Sequence, residues 1–144
     1  MSQINLASLE VGQSIGSVEF LLTRDSLVRY AGASGDFNPI HYRDDVALSV
    51  GLPGVLAHGM LTMGAAVQVV VDWVGDPGRV LDYGVRFTKP VVVDAVEGAV
   101  LIVSGKIGEI DAENSTVRVD ITATFADTAE IGRASCRERV SSPV

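Results

Sequence analysis

Hydrophobic and polar positions follow two different rhythms along this chain, and the rhythm changes near its middle. Residues 57–74 are apolar or small at almost every position, which predicts a long helix buried on nearly every side. After a turn at 75–78, stretches rich in valine, isoleucine and threonine indicate strands. These strands are predicted at 83–89, 91–93, 97–107 and 116–125. In the last of them apolar and polar residues alternate, which is typical of a strand with one buried face.

The first part of the chain carries shorter elements. A strand is predicted at 17–22, and Thr23 is a suitable N-cap for a short helix that stops near Gly32. The apolar stripe of that helix consists of Leu27, Val28 and Ala31. In the long helix, the stripe predicted to belong to the core consists of Met60, Met63 and Val67.

The order of these elements predicts the fold class. Residues 32–41 are rich in turn formers, and Asp44 and Asp45 open another short helix that ends before Gly51. One strand, short helices, one long helix and then a run of antiparallel strands give an α+β fold in which a sheet wraps a central helix. A chain of 144 residues is the usual size of one such domain.

The last residues differ in composition from the rest of the chain. Three of the eleven basic residues fall in residues 131–144 against a single acidic residue, Glu138. This stretch resembles read-through from a cloning vector, so we expect a native domain at 1–130 followed by a non-native tail at 131–144. A native final strand with a basic end is the alternative interpretation.

Charge and hydropathy exclude several classes of partner. The formal net charge of −7 disfavours a nucleic-acid-binding surface. The longest apolar-rich run, residues 60–71, is shorter than the roughly 20 residues needed to cross a bilayer. Residues 1–12 lack the basic start and apolar stretch of a secretory signal, and the only cysteine, Cys136, agrees with a reducing compartment. We therefore expect a cytoplasmic protein that binds neither membrane nor nucleic acid.

Candidate acid–base chemistry lies in the turn-rich stretch. Pro39 keeps Asn38 out of helical geometry, so a loop must place Asp36 and His41, and it could aim both side chains at one point. Histidine exchanges protons near neutral pH, which makes such a pair suitable for general acid–base catalysis. In the alternative interpretation, Asp36 and Asn38 only shape the loop through Asx-turns, and His41 leads into the next helix.

The second histidine of the chain precedes the long helix. His58 and Gly59 stand at its predicted start, where unpaired amides and the positive end of the helix dipole gather. Because Gly59 has no side chain, a substrate oxygen could reach its amide. An ordinary buried helix start is the alternative.

Three segments together resemble a known family. They are YAGASGDFNPIH (30–41), AHGM (57–60) and VRFTKPV (85–91). They are similar to the signature of the MaoC-like, hydratase 2 family of hot dog proteins, and the similarity runs over about residues 5–126. Within this family the chain most resembles the catalytic subunits of actinobacterial dehydratases that act on (3R)-hydroxyacyl groups on acyl carrier protein (ACP).

The resemblance implies roles for particular residues. It makes Asp36 and His41 the catalytic dyad and the Gly59 amide the donor to the thioester oxygen. The supporting residues are Asn38, which orders the loop or contacts water, with His58 and Ser34. Loss of water from a 3-hydroxyacyl thioester needs a base for the C2 proton, an acid for the hydroxyl and dipoles for the enolate-like oxygen. We expect His41 at the C2 proton and Asp36 at the hydroxyl, with no metal or other cofactor.

The implied activity is that of a hydro-lyase acting on (3R)-hydroxyacyl or trans-2-enoyl thioesters of CoA or ACP. The resemblance also implies a homodimer, or a heterodimer with a related hot dog subunit. Candidates for a basic rim that binds the carrier are Arg29, Arg43, Arg79, Arg86 and Lys89. Two alternatives remain: a non-catalytic acyl-binding subunit of a heterodimeric dehydratase, and a hot dog thioesterase.

Overall fold

A computed structural model describes residues 4–126 and 134–141, with side chains over 4–125. The α-helices in this part of the chain are α1 (Arg24–Ser34), α2 (Asp44–Ser49) and α3 (Gly59–Val74). The strands are β1 (Ser14–Leu22), β2 (Val80–Arg86), β3 (Ala99–Asp111), β4 (Thr116–Ala126) and β5 (Ala134–Ser141). Of these helices, none has the length and apolar character needed to span a bilayer.

The described strands form one antiparallel sheet in the order β1-β3-β4-β5-β2. The central helix α3 packs against it, and the core combines apolar residues of the helix with inward-facing residues of β3 and β4. The buried residues of α3 are Ala66, Val69, Val70 and Val74, and those of the two strands include Leu101, Val103, Ile107, Val119 and Ile121. The predicted α+β arrangement, an antiparallel sheet around a long helix, is therefore observed.

Several predicted strand bounds were wrong. The first strand begins at Ser14 rather than 17, the strand predicted at 83–89 is β2 at Val80–Arg86, and β3 continues to Asp111. The predicted strand at 91–93 forms only one isolated bridge, between Val92 and Leu56. Its pairing partner is the short segment that leads directly into α3, so the ladder has no room to extend.

The burial predicted for the helices also needs correction. The central helix is not buried on nearly every side, because four of its residues, one turn apart, are exposed: Met60, Gly64, Gln68 and Asp72. Met60 is 60% exposed, so the prediction that it belongs to the core was wrong. In α1, Leu27 and Ala31 are buried as expected, whereas Val28 is 60% exposed. The helical period explains both results, since one face packs and the opposite face does not.

The start of α1 ties together parts of the chain that lie far apart in sequence. Thr23 is the N-cap, as predicted, and forms a capping box with Ser26. Next to it, Arg24 donates through Nε to the Val93 carbonyl at 2.6 Å and through both terminal nitrogens to the Asp44 carboxylate at 2.9 and 3.1 Å. Arg24 therefore connects the start of α1 to the start of α2.

Part of the predicted tail forms a strand. Residues 131–133 and 142–144 lie outside the described residues, whereas the backbone of β5 pairs with β4 on one side and β2 on the other. Ladder hydrogen bonds join backbone groups, so a segment of unusual composition can still fill this place in the sheet. The domain boundary at 130 and the non-native origin of 131–144 remain predictions.

Candidate active site

The segment that follows α1 is held by side-chain-to-backbone hydrogen bonds, and we call residues 35–41 the site loop. Gly35 ends α1 with a left-handed backbone (φ 77°). Ser34 Oγ accepts a hydrogen bond from the Asp36 amide at 3.2 Å and donates one to the Tyr30 carbonyl at 2.7 Å. Asn38 Oδ1 accepts from the Ile40 amide at 3.2 Å and so caps the 3-10 turn Pro39–His41. Ser34 and Asn38 thus both order the loop.

Asp36 and His41 are brought together by this loop. His41 Nε2 lies 3.9 Å from Asp36 Oδ2; the imidazole is 10% exposed and the carboxylate 51% exposed. The separation is longer than a direct hydrogen bond. His41 Nδ1 lies 2.7 Å from the Leu56 carbonyl, which can only accept, so Nδ1 carries the hydrogen in the neutral ring. In that neutral tautomer Nε2 is the ring nitrogen without a hydrogen, and it faces the carboxylate.

The structure shows the Asx-turn that was the alternative interpretation of Asp36. Its Oδ1 accepts a hydrogen bond from the Asn38 amide at 3.2 Å, while Oδ2 faces His41. One carboxylate oxygen therefore shapes the loop, and the other stays available for chemistry. The Asx-turn therefore does not exclude an acid–base role for Asp36.

His58 lies directly beneath this pair and is only 1% exposed. Its ring stacks on that of His41 with centroids 3.8 Å apart and planes inclined by 22°. Its Nε2 lies 3.2 Å from the Asp36 carbonyl, and Tyr30 packs edge-on against it at 4.9 Å. Burial is the main cause that lowers the pKa of His58 below its ordinary value, so this imidazole is neutral at neutral pH.

Gly59 is the first residue of α3, and His58 is its N-cap residue. The N–H of Gly59 is the first of the helix and has no acceptor within it. A Cβ at this position would stand 3.2 Å from the Phe87 ring, so the glycine lets Phe87 pack against the helix start. An apolar cavity of about 40 Å³ adjoins Phe87. Its lining consists of Thr62, Met63, Ala66, Val85, Phe87, Val91, Leu101, Ala123 and Phe125.

Comparison with known protein families gives a match over most of the chain. The model of the MaoC like domain matches residues 7–125. The chain belongs to the MaoC-like family. A solved structure described as a MaoC-like dehydratase, 37% identical to this MaoC-like chain, superimposes with a TM-score of 0.91 over 98% of this chain and 43% of that one. The hot dog fold predicted from the sequence is thereby confirmed.

Two curated relatives of this MaoC-like chain have named activities. The 3-hydroxyacyl-thioester dehydratase X of Mycobacterium tuberculosis is 40% identical over 77 residues, which cover 54% of this chain and 26% of that protein. The (R)-specific enoyl-CoA hydratase of Rhodospirillum rubrum is 28% identical over 102 residues, which cover 70% of each protein. The chain therefore spans about a quarter of the mycobacterial relative's length and most of the shorter one's.

Three side chains of this MaoC-like site lie close enough together to be candidate metal ligands. Asp36, His41 and His58 offer one carboxylate oxygen and two ring nitrogens within 4.8 Å of one another. However, Nδ1 of His41 and Nε2 of His58 are already hydrogen-bonded to backbone carbonyl groups. The rings also stack face to face, so their in-plane lone pairs do not converge on one point. This arrangement does not fit a metal centre.

Some features of the site were not predicted. The Leu56 carbonyl that sets the His41 tautomer and the stacking of the two histidine rings leave no pattern in the sequence, because residues far apart along the chain form them. Phe87 belongs to the VRFTKPV segment, one of the three segments that resemble the family. That resemblance is the sequence signal from which its position near the helix start could have been predicted. Among the predicted basic rim residues, Arg43 pairs with Asp45 instead of pointing freely to solvent.

Proposed function

We propose that this protein is a hydro-lyase that interconverts (3R)-hydroxyacyl and trans-2-enoyl thioesters. The observation that carries the proposal is the pair formed by His41 Nε2 and Asp36 Oδ2, separated by 3.9 Å and open to solvent on the carboxylate side. A gap of this size admits a shared hydroxyl or water oxygen near both groups. Membership of the MaoC-like family and the names of the two curated relatives support the same reaction class.

In the dehydration direction the proposed roles follow the tautomer of His41. The unprotonated Nε2 takes the C2 proton, the bond between C3 and oxygen breaks, and protonated Asp36 gives its proton to the departing hydroxyl, which leaves as water. The imidazolium and carboxylate that remain are neighbours, so the proton returns from His41 to Asp36 and resets the pair. The hydration reaction runs through the same steps in reverse.

The developing negative charge on the thioester oxygen needs a donor. We assign this role to the Gly59 amide at the N-terminus of α3, where the helix dipole adds positive potential. The cavity beside Phe87 is lined by apolar side chains, which match the hydrocarbon part of an acyl group in polarity, and its volume of about 40 Å³ has room for only a small piece of one. CoA and ACP are both compatible carriers, since both present the acyl group as a thioester.

We further propose a cytoplasmic dimer. The exposed side of α3 and the edge strand β2 are the surfaces on which a second hot dog subunit would complete the fold. The partner is either an identical chain or a related subunit. Mass measurement of the purified protein in solution distinguishes a monomer from a homodimer, and fractionation of the source cells tests the location.

A single assay with enoyl thioesters tests the activity. We expect the absorbance of the conjugated enoyl thioester to fall as the 3-hydroxy product forms, with no release of free thiol. Thiol release without loss of conjugation would instead identify a thioesterase. Activity that appears only after a related hot dog subunit is added would indicate a heterodimer, and no activity in either case would support a non-catalytic acyl-binding subunit.

A further inference from the structure

The buried imidazole of His58 has no part in the proposed proton transfers, yet it contacts both residues that make them: the ring of His41 and the backbone carbonyl of Asp36. Its ring lies against the His41 ring at 3.8 Å, and its Nε2 lies 3.2 Å from the Asp36 carbonyl. No other side chain in the described part of the chain joins the two members of the dyad in this way. We infer that His58 is a positioning residue whose neutral imidazole fixes the separation and orientation of Asp36 and His41. This inference rests on the proposed function.

The hydrogen bond to Asp36 defines the tautomer of His58. A carbonyl oxygen can only accept, so Nε2 carries the hydrogen, and Nδ1 is left with a bare lone pair. This Nδ1 is buried and has no hydrogen-bond partner among the described residues. A buried acceptor without a partner destabilises the fold, so packing alone does not account for an imidazole here.

The stacking contact explains why a neutral His58 is needed next to His41. When His41 takes a proton it becomes a cation against the face of the His58 ring, and a neutral ring tolerates this charge whereas an imidazolium would repel it. The groups that face His58 are His41 from the 3-10 turn, Asp36 from the site loop and Tyr30 from α1. Burial disfavours the charged form of His58, so the charge that develops in the stack resides on His41.

Substitutions can separate the two contacts. Phe at position 58 keeps a ring for stacking but has no donor, whereas Gln keeps an amide donor at a reach similar to Nε2 but has no ring. Ala removes both contacts. We expect His58→Ala to lower kcat about 100-fold with little change in KM, because a misplaced reacting pair loses rate without losing substrate contacts. His58→Gln and His58→Phe should each recover part of this loss.

The test combines spectroscopy without turnover and kinetics. The chain contains only two histidines, so nitrogen NMR of the imidazoles can assign both rings. We expect His58 as the neutral tautomer with hydrogen on Nε2, and we expect its removal to shift the His41 ring resonances. A His58 with hydrogen on Nδ1, or one charged at neutral pH, would overturn the inference.

The kinetic part uses a double-mutant cycle with Asp36→Asn. If His58 acts through the dyad, His58→Ala should cost much less in the Asp36→Asn background than in the wild type. Equal losses in both backgrounds, or equal activity of His58→Ala and the wild type, would refute the positioning role. Val28→Ala, on the exposed face of α1, serves as the control with unchanged kcat.

Stability distinguishes a purely structural role. Phe removes the unpaired Nδ1 together with the donor, so we expect the Tm of His58→Phe to stay within about 5 °C of the wild type. A fall in Tm that parallels the fall in activity across all three variants would contradict the inference. A wild type that is inactive both alone and with a related hot dog subunit, but gives the expected NMR spectra, would instead refute the proposed function and leave the geometry of the two rings in place.

Discussion

The site loop and the β3–β4 hairpin are held by different kinds of interaction. The hairpin has an antiparallel ladder from Val100 and Ala126 to the turn at 112–115, and its inward side chains are buried in the core. The site loop has no ladder, and it is held instead by hydrogen bonds that backbone amides donate to side-chain oxygens of Ser34, Asp36 and Asn38. Regular structure thus supplies stability, while a few local polar contacts place the reacting groups.

The largest difference between the site loop and the hairpin is expected when a member of the dyad is replaced. We expect Asp36→Asn and His41→Ala each to lower turnover by about 10²–10⁴-fold, because each removes a proton-transfer group. The fold should remain, since the carboxylate is half exposed and the hairpin core is untouched. Steady-state hydration rates with circular dichroism check both statements. Asp25→Asn, in the exposed first turn of α1, is the matched control, and near-normal turnover in either dyad variant would remove that residue from the mechanism.

The opposite result is expected in the hairpin. Ile107 is 1% exposed and pairs with Val119, so Ile107→Ala leaves a cavity and should lower the free energy of unfolding by about 2–5 kcal/mol. Urea unfolding measures this change. Activity per folded molecule should be retained; a loss matching that of the dyad variants would mean that the two regions are coupled.

Asn38 belongs to the site loop but performs no proton transfer. Asn38→Ala removes the acceptor for the Ile40 amide and should cost about 0.5–2 kcal/mol of stability, as at other N-caps. Because His41 follows three residues later, at the end of the 3-10 turn that Asn38 caps, kcat should also fall, but by less than in the dyad variants. Asn38→Asp keeps a side-chain oxygen for the Ile40 amide, and failure of this variant to restore stability would argue against the cap.

The smallest expected effect is a pH dependence of stability that comes from His58. Its pKa is lowered in the folded state, so as the pH falls the unfolded chain binds a proton before the folded chain does. The stability associated with this group is complete above the ordinary histidine pKa and is lost as the pH falls from there towards the lowered value. We expect the Tm of the wild type to drop between about pH 7.5 and about pH 5.5 more than that of His58→Phe. Equal drops would show that His58 does not contribute.

The sequence predicted where helices and strands occur better than which of their residues are buried. Thr23 as N-cap and the helix start at Gly59 follow from local chemistry, and the structure confirms both. The exposure of Met60 and Val28 was missed because an apolar residue on a helix is buried only if another element covers its face. The same reason explains the short bridge at Val92, since strand length depends on the partner.

For the site, residue types were predictable but their contacts were not. The proline-bearing loop pointed to a meeting of Asp36 and His41, and the structure places these side chains 3.9 Å apart. The stacking of His41 on His58 arises only when the start of α3 folds back under the loop, which no local pattern encodes. The catalytic roles themselves remain predictions for the assays above.

Arg24 joins the two ends of the chain segment that runs from α1 to α2. Its two hydrogen bonds to Asp44 connect residues that are 20 positions apart in sequence, and the site loop lies within the segment between them. Because the Asp44 carboxylate is 56% exposed, dissolved ions screen this contact. High ionic strength therefore affects the reacting groups indirectly. It weakens the contact between Arg24 and Asp44, so the segment between them can adopt more conformations, including ones in which the two histidine rings are not stacked.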